Sequence, residues 1–333
     1  MEEDMKSRIY NTRATVEAGL ITALIVVMAL MNVYIPIFST LGRFILPIPV
    51  AVLFLRHNFK VTLAAVVASG IFVGMLYSPL SGLTSTIMFG ITGITLGYCI
   101  KKNSEFSIML ILLSIASLIG TVIDFSVYIK LISGSSLKAF IGEMLKIMEE
   151  SANAAIEFYT KMGVSNEQLK PILDILKIFN VDYILKVVPA ILIMGSLVSA
   201  YLTYIVTKLI LKKLGYNIKE APKFTHIHIN VKIGAILSIF LLLGVLLIRQ
   251  NVEVGEYLAG SSQLLLQYAF FIDGLSVALY YLKDRYKMSK GVITLIIFLT
   301  MFSQLSIVYF ILGLADLIID FRKLDPNRKL GVK

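Results

Sequence analysis

Apolar residues run in long blocks, each closed by charge, proline or glycine, and the length of a block predicts what it becomes. A helix needs roughly 20 apolar residues, at about 1.5 Å each, to cross a bilayer. Blocks of that order run from Ala14 to Phe38, Val61 to Tyr77, Leu83 to Ile100, Phe106 to Ile132, Tyr183 to Leu211, Ile233 to Ile248 and Tyr257 to Leu282. Phe44 to Leu55 is too short to span unaided and carries Pro47 and Pro49, so a tilted crossing through a thinned bilayer and a re-entrant piece both fit. Gly291 to Phe321 is too long, reaching roughly 45 Å against a hydrocarbon core of about 30 Å. Ser303-Gln304 near its middle predicts a tight hairpin of two short helices instead of one tilted rod.

Residues 133–182 break this pattern. Leu137, Phe140, Ile141, Met144, Leu145 and Met148 recur at helical spacing, with Lys138, Glu143, Lys146, Glu149 and Glu150 between them, which predicts an amphipathic helix and not a span. A second helix is expected near Ser165, whose spacing to Gln168 fits a capping box, continuing through Leu169, Ile172, Leu173, Leu176 and Phe179. Pro171 weakens that helix or moves its start later. The insert reads either as a helical hairpin lying on the membrane surface or capping the bundle, or as a lid over a substrate entrance.

Composition agrees with the block pattern. Of 333 residues, 57% are hydrophobic and 16% charged, against about 45–50% and about 25% in a soluble domain. Too little polar surface exists to cover the apolar groups, so lipid must cover them. The expected fold is all-α: a polytopic helical membrane protein with eight to ten membrane segments and one amphipathic insert. It divides into membrane helices at 1–132, the insert at 133–182, and membrane helices with a basic tail at 183–333. The first block is too long for the core of a cleaved signal peptide and lacks a small-residue cleavage site before the next block.

The net charge of +10 fits cationic loops held against an anionic membrane face better than a nucleic-acid partner. Lys and Arg favour the cytoplasmic side of short loops. Strict alternation puts Arg56 and Lys60, Lys101 and Lys102, Lys208 to Lys223, and Lys283 to Lys290 on one side with the N-terminus, leaving Arg43 and Arg249 on the other. The expected location is therefore the plasma membrane, multi-pass, with both termini cytoplasmic and the insert outside.

Little catalytic chemistry is offered. The single Cys99 lies in an apolar run, which rules out a disulfide framework. His226-Ile227-His228 lacks a nearby third ligand, so no metal site is expected. No phosphate-cradling loop, supported Ser-His-Asp set or HExxH occurs. The expectation is a protein that is not an enzyme and needs no cofactor.

Polar residues inside the blocks carry the functional interest, because a charge near the bilayer centre costs roughly 2.5–3.5 kcal/mol even on lenient scales. Asp124 and Asp273 are the two carboxylates so placed, and Asn32, Gln263, Gln267 and Gln304 add neutral polar groups. Asp124, Gln267, Asp273, Gln304 and Asn32 are the candidate lining of a pocket for a small polar solute or cation. The alternative is that each pairs with a neighbouring helix and fixes packing. Asp316 and Asp320 stand near Arg322 and Lys323, which predicts an interfacial ion-pair cluster. Small residues recur on several blocks (Gly70 and Gly74; Gly90, Gly93 and Gly97), a spacing that lets helices approach closely. The Ala14/Ala18 edge is a candidate docking face for a partner helix.

From Glu17 to Gly97, the small residues of the first block, Leu46-Pro47-Ile48-Pro49 and the break at Ser78-Pro79-Leu80-Ser81-Gly82 resemble the start of a substrate-binding S component of the energy-coupling-factor vitamin importers. Nearly the whole chain, including Asp273-Gly274-Leu275-Ser276 and the stretch from Gly313-Leu314-Ala315-Asp316 to Asp320-Phe321-Arg322-Lys323, more specifically resembles the YybS-like (DUF2232) family of bacterial multi-pass membrane proteins. That family implies no catalytic residues. The first resemblance implies a substrate-binding or transport subunit for a small solute, working with a coupling subunit and ATPases of a modular importer. A non-transporting membrane accessory or scaffold protein is the alternative.

Overall fold

The computed structural model describes residues 2–165, 167–170, 174, 178–301, 303 and 305–324. Gln304 and most of the expected second insert helix lie outside these residues. All regular structure among the described residues is helical: α1 (Glu2–Tyr34), α2 (Pro36–Ile45), α3 (Pro47–Arg56), α4 (Phe59–Leu76), α5 (Pro79–Lys101), α6 (Phe106–Val127), α7 (Leu137–Lys161), α8 (Val181–Lys213), α9 (Val231–Arg249), α10 (Val254–Tyr280), α11 (Lys290–Met301) and α12 (Ser306–Ile319). Single π-helical turns extend α6 over Tyr128–Ile132 and α10 over Tyr281–Arg285.

Seven described helical stretches are long and apolar enough to cross a membrane, and α11 with α12 would make eight if that bent pair is one span. The polytopic helical architecture is thus as expected; the count among the described residues is one below the anticipated eight to ten, or reaches eight with the bent pair. The long terminal block is indeed broken near Ser303, but α11 and α12 meet at 102°. That is an elbow, not a tight hairpin.

The chain forms two compact units, Met1–Phe140 with Leu192–Glu220, and Ile141–Ile191 with Ala221–Lys333. In the first, Ile25, Val26, Ala29, Leu46, Val50, Val66, Val73 and Phe89 form the apolar core. Helix α3 explains the short block. Pro47 occupies its first position, where the missing N–H has no helical partner to lose. Every residue from Pro47 to Phe54 is buried, so α3 is an internal helix covered by protein and not a lipid-facing rod. It seats on α5, where a Cβ at Gly93 would strike the Pro47 carbonyl and one at Gly97 would strike Phe54. Its open C-terminal end is closed by Lys101, which donates from Nζ to the carbonyls of His57 (2.9 Å) and Phe54 (3.4 Å).

Helices α4 and α5 cross where Gly82 meets the backbone of Gly70 and Gly74. The connector after α8 is tied back to it: Tyr204 donates to the Lys219 carbonyl at 2.8 Å, and Lys208 pairs with Glu220 at 3.1 Å. The Lys208 ammonium holds the Glu220 carboxyl below its ordinary range.

The insert begins as expected with the amphipathic α7. Ile141 is buried, while Leu137, Met144, Ile147 and Met148 stay exposed. The Gln168 side chain accepts from the Ser165 N–H at 3.4 Å, the reciprocal half of a capping box.

In the second unit, α10 is the central element. It crosses α9 at Gly244 and Gly255, and α12 at Gly274 and Gly313. At the latter crossing a Cβ on Gly274 would land on the Tyr309 carbonyl, and one on Gly313 on the Phe270 carbonyl. Backbone against backbone leaves no room for a methyl group, so overpacking of about 1–3 kcal/mol or more is the expected penalty. Gly313→Ala should therefore lower the thermal unfolding midpoint of the detergent-purified protein. Gly195→Ala, whose Cβ meets nothing within 4 Å, should leave it unchanged or slightly raised.

Candidate functional site

The first unit encloses a cavity of ≈ 160 Å³ whose lining is mostly polar. Each contributing helix turns one face to it. From α5 come Ser85, Met88, Phe89 and Thr92, at the i, i+3, i+4, i+7 spacing of a single helical face. Ser117 and Asp124 on α6 are seven residues apart, and Ser199 and Thr203 on α8 four apart. Asn32 near the end of α1, Arg43 in the last turn of α2 and Leu46 complete the lining. Gly42 admits the amide, since a Cβ there would overlap the Asn32 side chain.

Several polar groups of this lining have no partner among the described residues. Arg43 is exposed and Asp124 half-buried, yet no ion pair within 4.0 Å joins them, and neither side chain bonds to another described group. Ser117 and Thr203 are 3% and 1% exposed, and their hydroxyls bond to no other described group. Thr92 instead donates to the Met88 carbonyl at 2.7 Å, so it offers the cavity an acceptor only. Buried polar groups are nearly always hydrogen-bonded, and a carboxylate within a helix of this hydrophobicity is costly to leave unpaired. Such a constellation is suited to a small polar guest.

The second unit holds a polar cluster of the opposite kind. Asp273 sits on α10 beside the glycine crossing, and Asp316 on the last turn of α12. Asp320 adopts a left-handed conformation (φ 53°), tolerable for Asp, and turns the chain back. Its Oδ1 accepts from the Leu324 N–H at 2.9 Å. The reversal delivers Arg322 into the interior, where its side chain is 0% exposed. Nη2 donates to Asp273 Oδ1 at 2.7 Å and to Asp316 Oδ2 at 2.8 Å. Nη1 donates to the carbonyls of Thr225 (3.1 Å) and Ile227 (2.9 Å), and to the Ser276 hydroxyl. Ser276 in turn donates to the Phe224 carbonyl. One guanidinium therefore clasps α10, α12 and the connector before α9. Asp273 Oδ2 and Arg322 Nε make no hydrogen bond to described groups.

Two of the polar residues singled out from the sequence, Asn32 and Asp124, share the first unit's cavity. Gln267 is exposed and lines an apolar groove of the second unit with Leu264, Tyr268, Phe271, Ser306, Ile307 and Phe310. Asp273 is held by Arg322, and Gln304 lies outside the described residues. Asp316 and Arg322 do pair, as their proximity in sequence suggested, but in the interior and with Asp273 as a third member. Ala14 is buried and Ala18 half-buried, whereas the exposed edge of α1 is Val16, Leu20, Leu24 and Val27. The His226-Ile227-His228 segment lends Arg322 the Ile227 carbonyl, and His226 Nδ1 meets Thr225 Oγ1 at 3.0 Å. Among the described residues no group of three or more His, Cys, Asp or Glu is placed to hold a metal ion.

Sequence inspection missed Arg43, Ser85, Ser117, Ser199 and Thr203 as cavity residues. For the four hydroxyl residues, helical spacing within apolar blocks was the available signal; Arg43 lies between blocks and gave none. It also missed a third cluster near the middle of α1, where Glu17 Oε2 meets His57 Nε2 at 2.9 Å and Arg56 at 3.8 Å.

A bundle of this length and hydrophobicity, with polar groups sequestered inside, defines an integral membrane protein built from multiple helical spans. The chain belongs to the family described as "Predicted membrane protein (DUF2232)", whose pattern matches residues 23–317. It is similar to "Uncharacterized protein YybS" of Bacillus subtilis (strain 168), with 23% identity over 302 residues, covering 86% of this chain and 90% of that protein. No solved structure matches.

Removing one partner of a buried ion pair strands the other, at a cost of about 3–5 kcal/mol. Arg322→Gln should therefore lower the thermal midpoint sharply. Adding Asp273→Asn to Arg322→Gln should recover part of the loss, giving a non-additive double-mutant cycle.

Proposed function

We propose that this protein is a substrate-binding or transport subunit for a small solute, with the first unit's cavity as the binding site. The observation that carries this is the unpaired Asp124 facing a space of ≈ 160 Å³ that it shares with Asn32, Arg43 and two buried hydroxyls. A carboxylate used only for packing would be expected to hold a partner, as Asp273 does. The protein performs no chemistry on the solute, and energy for movement comes from a partner. A coupling subunit with ATPases fits the resemblance to S components, and since Ala14 is buried it would dock on the exposed Val16, Leu20, Leu24 and Val27 edge of α1 rather than at Ala14 and Ala18. The chain sits in the plasma membrane with both termini cytoplasmic.

A second reading, a non-transporting accessory protein, draws on α7. Its exposed Met144, Ile147, Met148 and Phe158 form an apolar surface suited to lipid or to another protein.

The two readings separate by mutation. Protein purified with native lipids should retain a small molecule detectable by mass spectrometry, and Asp124→Asn should reduce its occupancy at least about tenfold while leaving the thermal midpoint of the ligand-stripped protein unchanged. If nothing is retained and crosslinking recovers no ATPase, the transport reading fails. If deleting 137–161 abolishes cellular function while Asp124→Asn leaves it intact, the accessory reading stands in its place.

A further inference from the structure

The charges of the cavity specify more than polarity. Arg43 and Asp124 are opposite in sign, line one space and do not neutralise each other. We infer that the guest is a small zwitterion, carrying an anionic group for Arg43 and a cationic group for Asp124 on one short carbon frame. This deepens the solute-binding reading and rests on it.

Three considerations lead there. The cavity is formally neutral, with Arg43 exposed and Asp124 half-buried: an anionic guest would leave the Asp124 carboxylate less solvated and unpaired, which is unfavourable, and a cationic guest would forgo the bonds the guanidinium offers. A guest with no charge would do both. Only a molecule with both signs pairs each end, and its ends gain charge-assisted hydrogen bonds, which are the strong ones.

Size narrows the class further. A cavity of about 150 Å³ holds one benzene ring, so ≈ 160 Å³ suits a solute of roughly that many non-hydrogen atoms. Amino acids with short chains fall in this range, while nucleotides and most cofactors do not. The remaining lining fits such a guest as well. Ser117 and Thr203 each offer a hydroxyl able to donate or accept, and Thr92, its proton committed to Met88, accepts from an ammonium. The exposed Arg43 marks the end nearer the opening, so the anionic group sits outermost and the cationic group beside Asp124.

The test uses the protein in lipid nanodiscs with glycine, β-alanine, 4-aminobutanoate and 5-aminopentanoate as probes, in which each added methylene lengthens the charge separation. Butanoate and butylamine are the single-charge controls. Thermal stabilisation and isothermal titration are the readouts. One chain length is expected to bind saturably, at least about tenfold tighter than either control. Asp124→Asn should erase the preference over butanoate, and Arg43→Gln the preference over butylamine. Neither side chain has a partner among the described residues, so without ligand both variants should keep the parent thermal midpoint, and that measurement shows whether they are folded. The inference is overturned if a control binds as tightly as the best amino acid, or if no probe binds folded protein at millimolar concentration. If the two substitutions instead release a co-purified solute that is not zwitterionic, the class is wrong and the binding site stands. If they change nothing the protein retains, both fail.

Discussion

A single guanidinium organises the second unit. Arg322 lies fully inside, and every helix it touches is fixed by that contact: α10 through Asp273 and Ser276, α12 through Asp316, and the connector through the carbonyls of Thr225 and Ile227. Arginine suits this task because its planar fork presents five donors in fixed directions. Lysine, with three donors on a flexible stem, could hold the charge but not the geometry. The clasp in turn requires the glycine crossing. Without the backbone contact at Gly274 and Gly313, the Asp273 and Asp316 carboxylates would stand too far apart to share one Nη2.

The two units handle buried polarity in opposite ways. In the second, charge is consumed by protein, which produces rigidity and leaves little for a ligand to gain. In the first, Asp124, Arg43, Ser117 and Thr203 are left without mutual bonds around an open space. Hydrophobic packing cannot compensate for that, because apolar helix faces gain nothing by surrounding an unpaired carboxylate. The contrast between a cluster whose charges pair with each other and one whose charges do not distinguishes a site suited to holding helices together from one suited to binding.

Much of the fold was legible in the sequence, because a bilayer imposes a minimum length on every span and demands internal hydrogen bonding of the backbone. Block length alone located the long helices, and the break near Ser303 followed from excess length. Burial of α3 was not legible. A ten-residue apolar run looks the same whether lipid or protein covers it, and only its seating on Gly93 and Gly97 decides. The cavity was half legible. Asn32 and Asp124 stood out because amides and carboxylates are costly in apolar blocks, but Ser85, Ser117, Ser199 and Thr203 did not, since hydroxyls often bond their own helix and pass unnoticed. Arg43 looked like a loop charge and Arg322 like one cation of a basic tail. Arg322 owes its interior position to a left-handed turn at Asp320, which no periodicity announces.

That turn sets an order of events during synthesis. Asp273 leaves the ribosome 49 residues ahead of Arg322, so its carboxylate is committed to a membrane helix well before its counter-charge exists. Until the stretch carrying Arg322 emerges and doubles back, the second unit holds helices with an unmatched acid between them. Its closure therefore waits for Arg322, and a nascent chain halted just short of that residue would leave quality-control machinery a loosely gathered bundle to recognise.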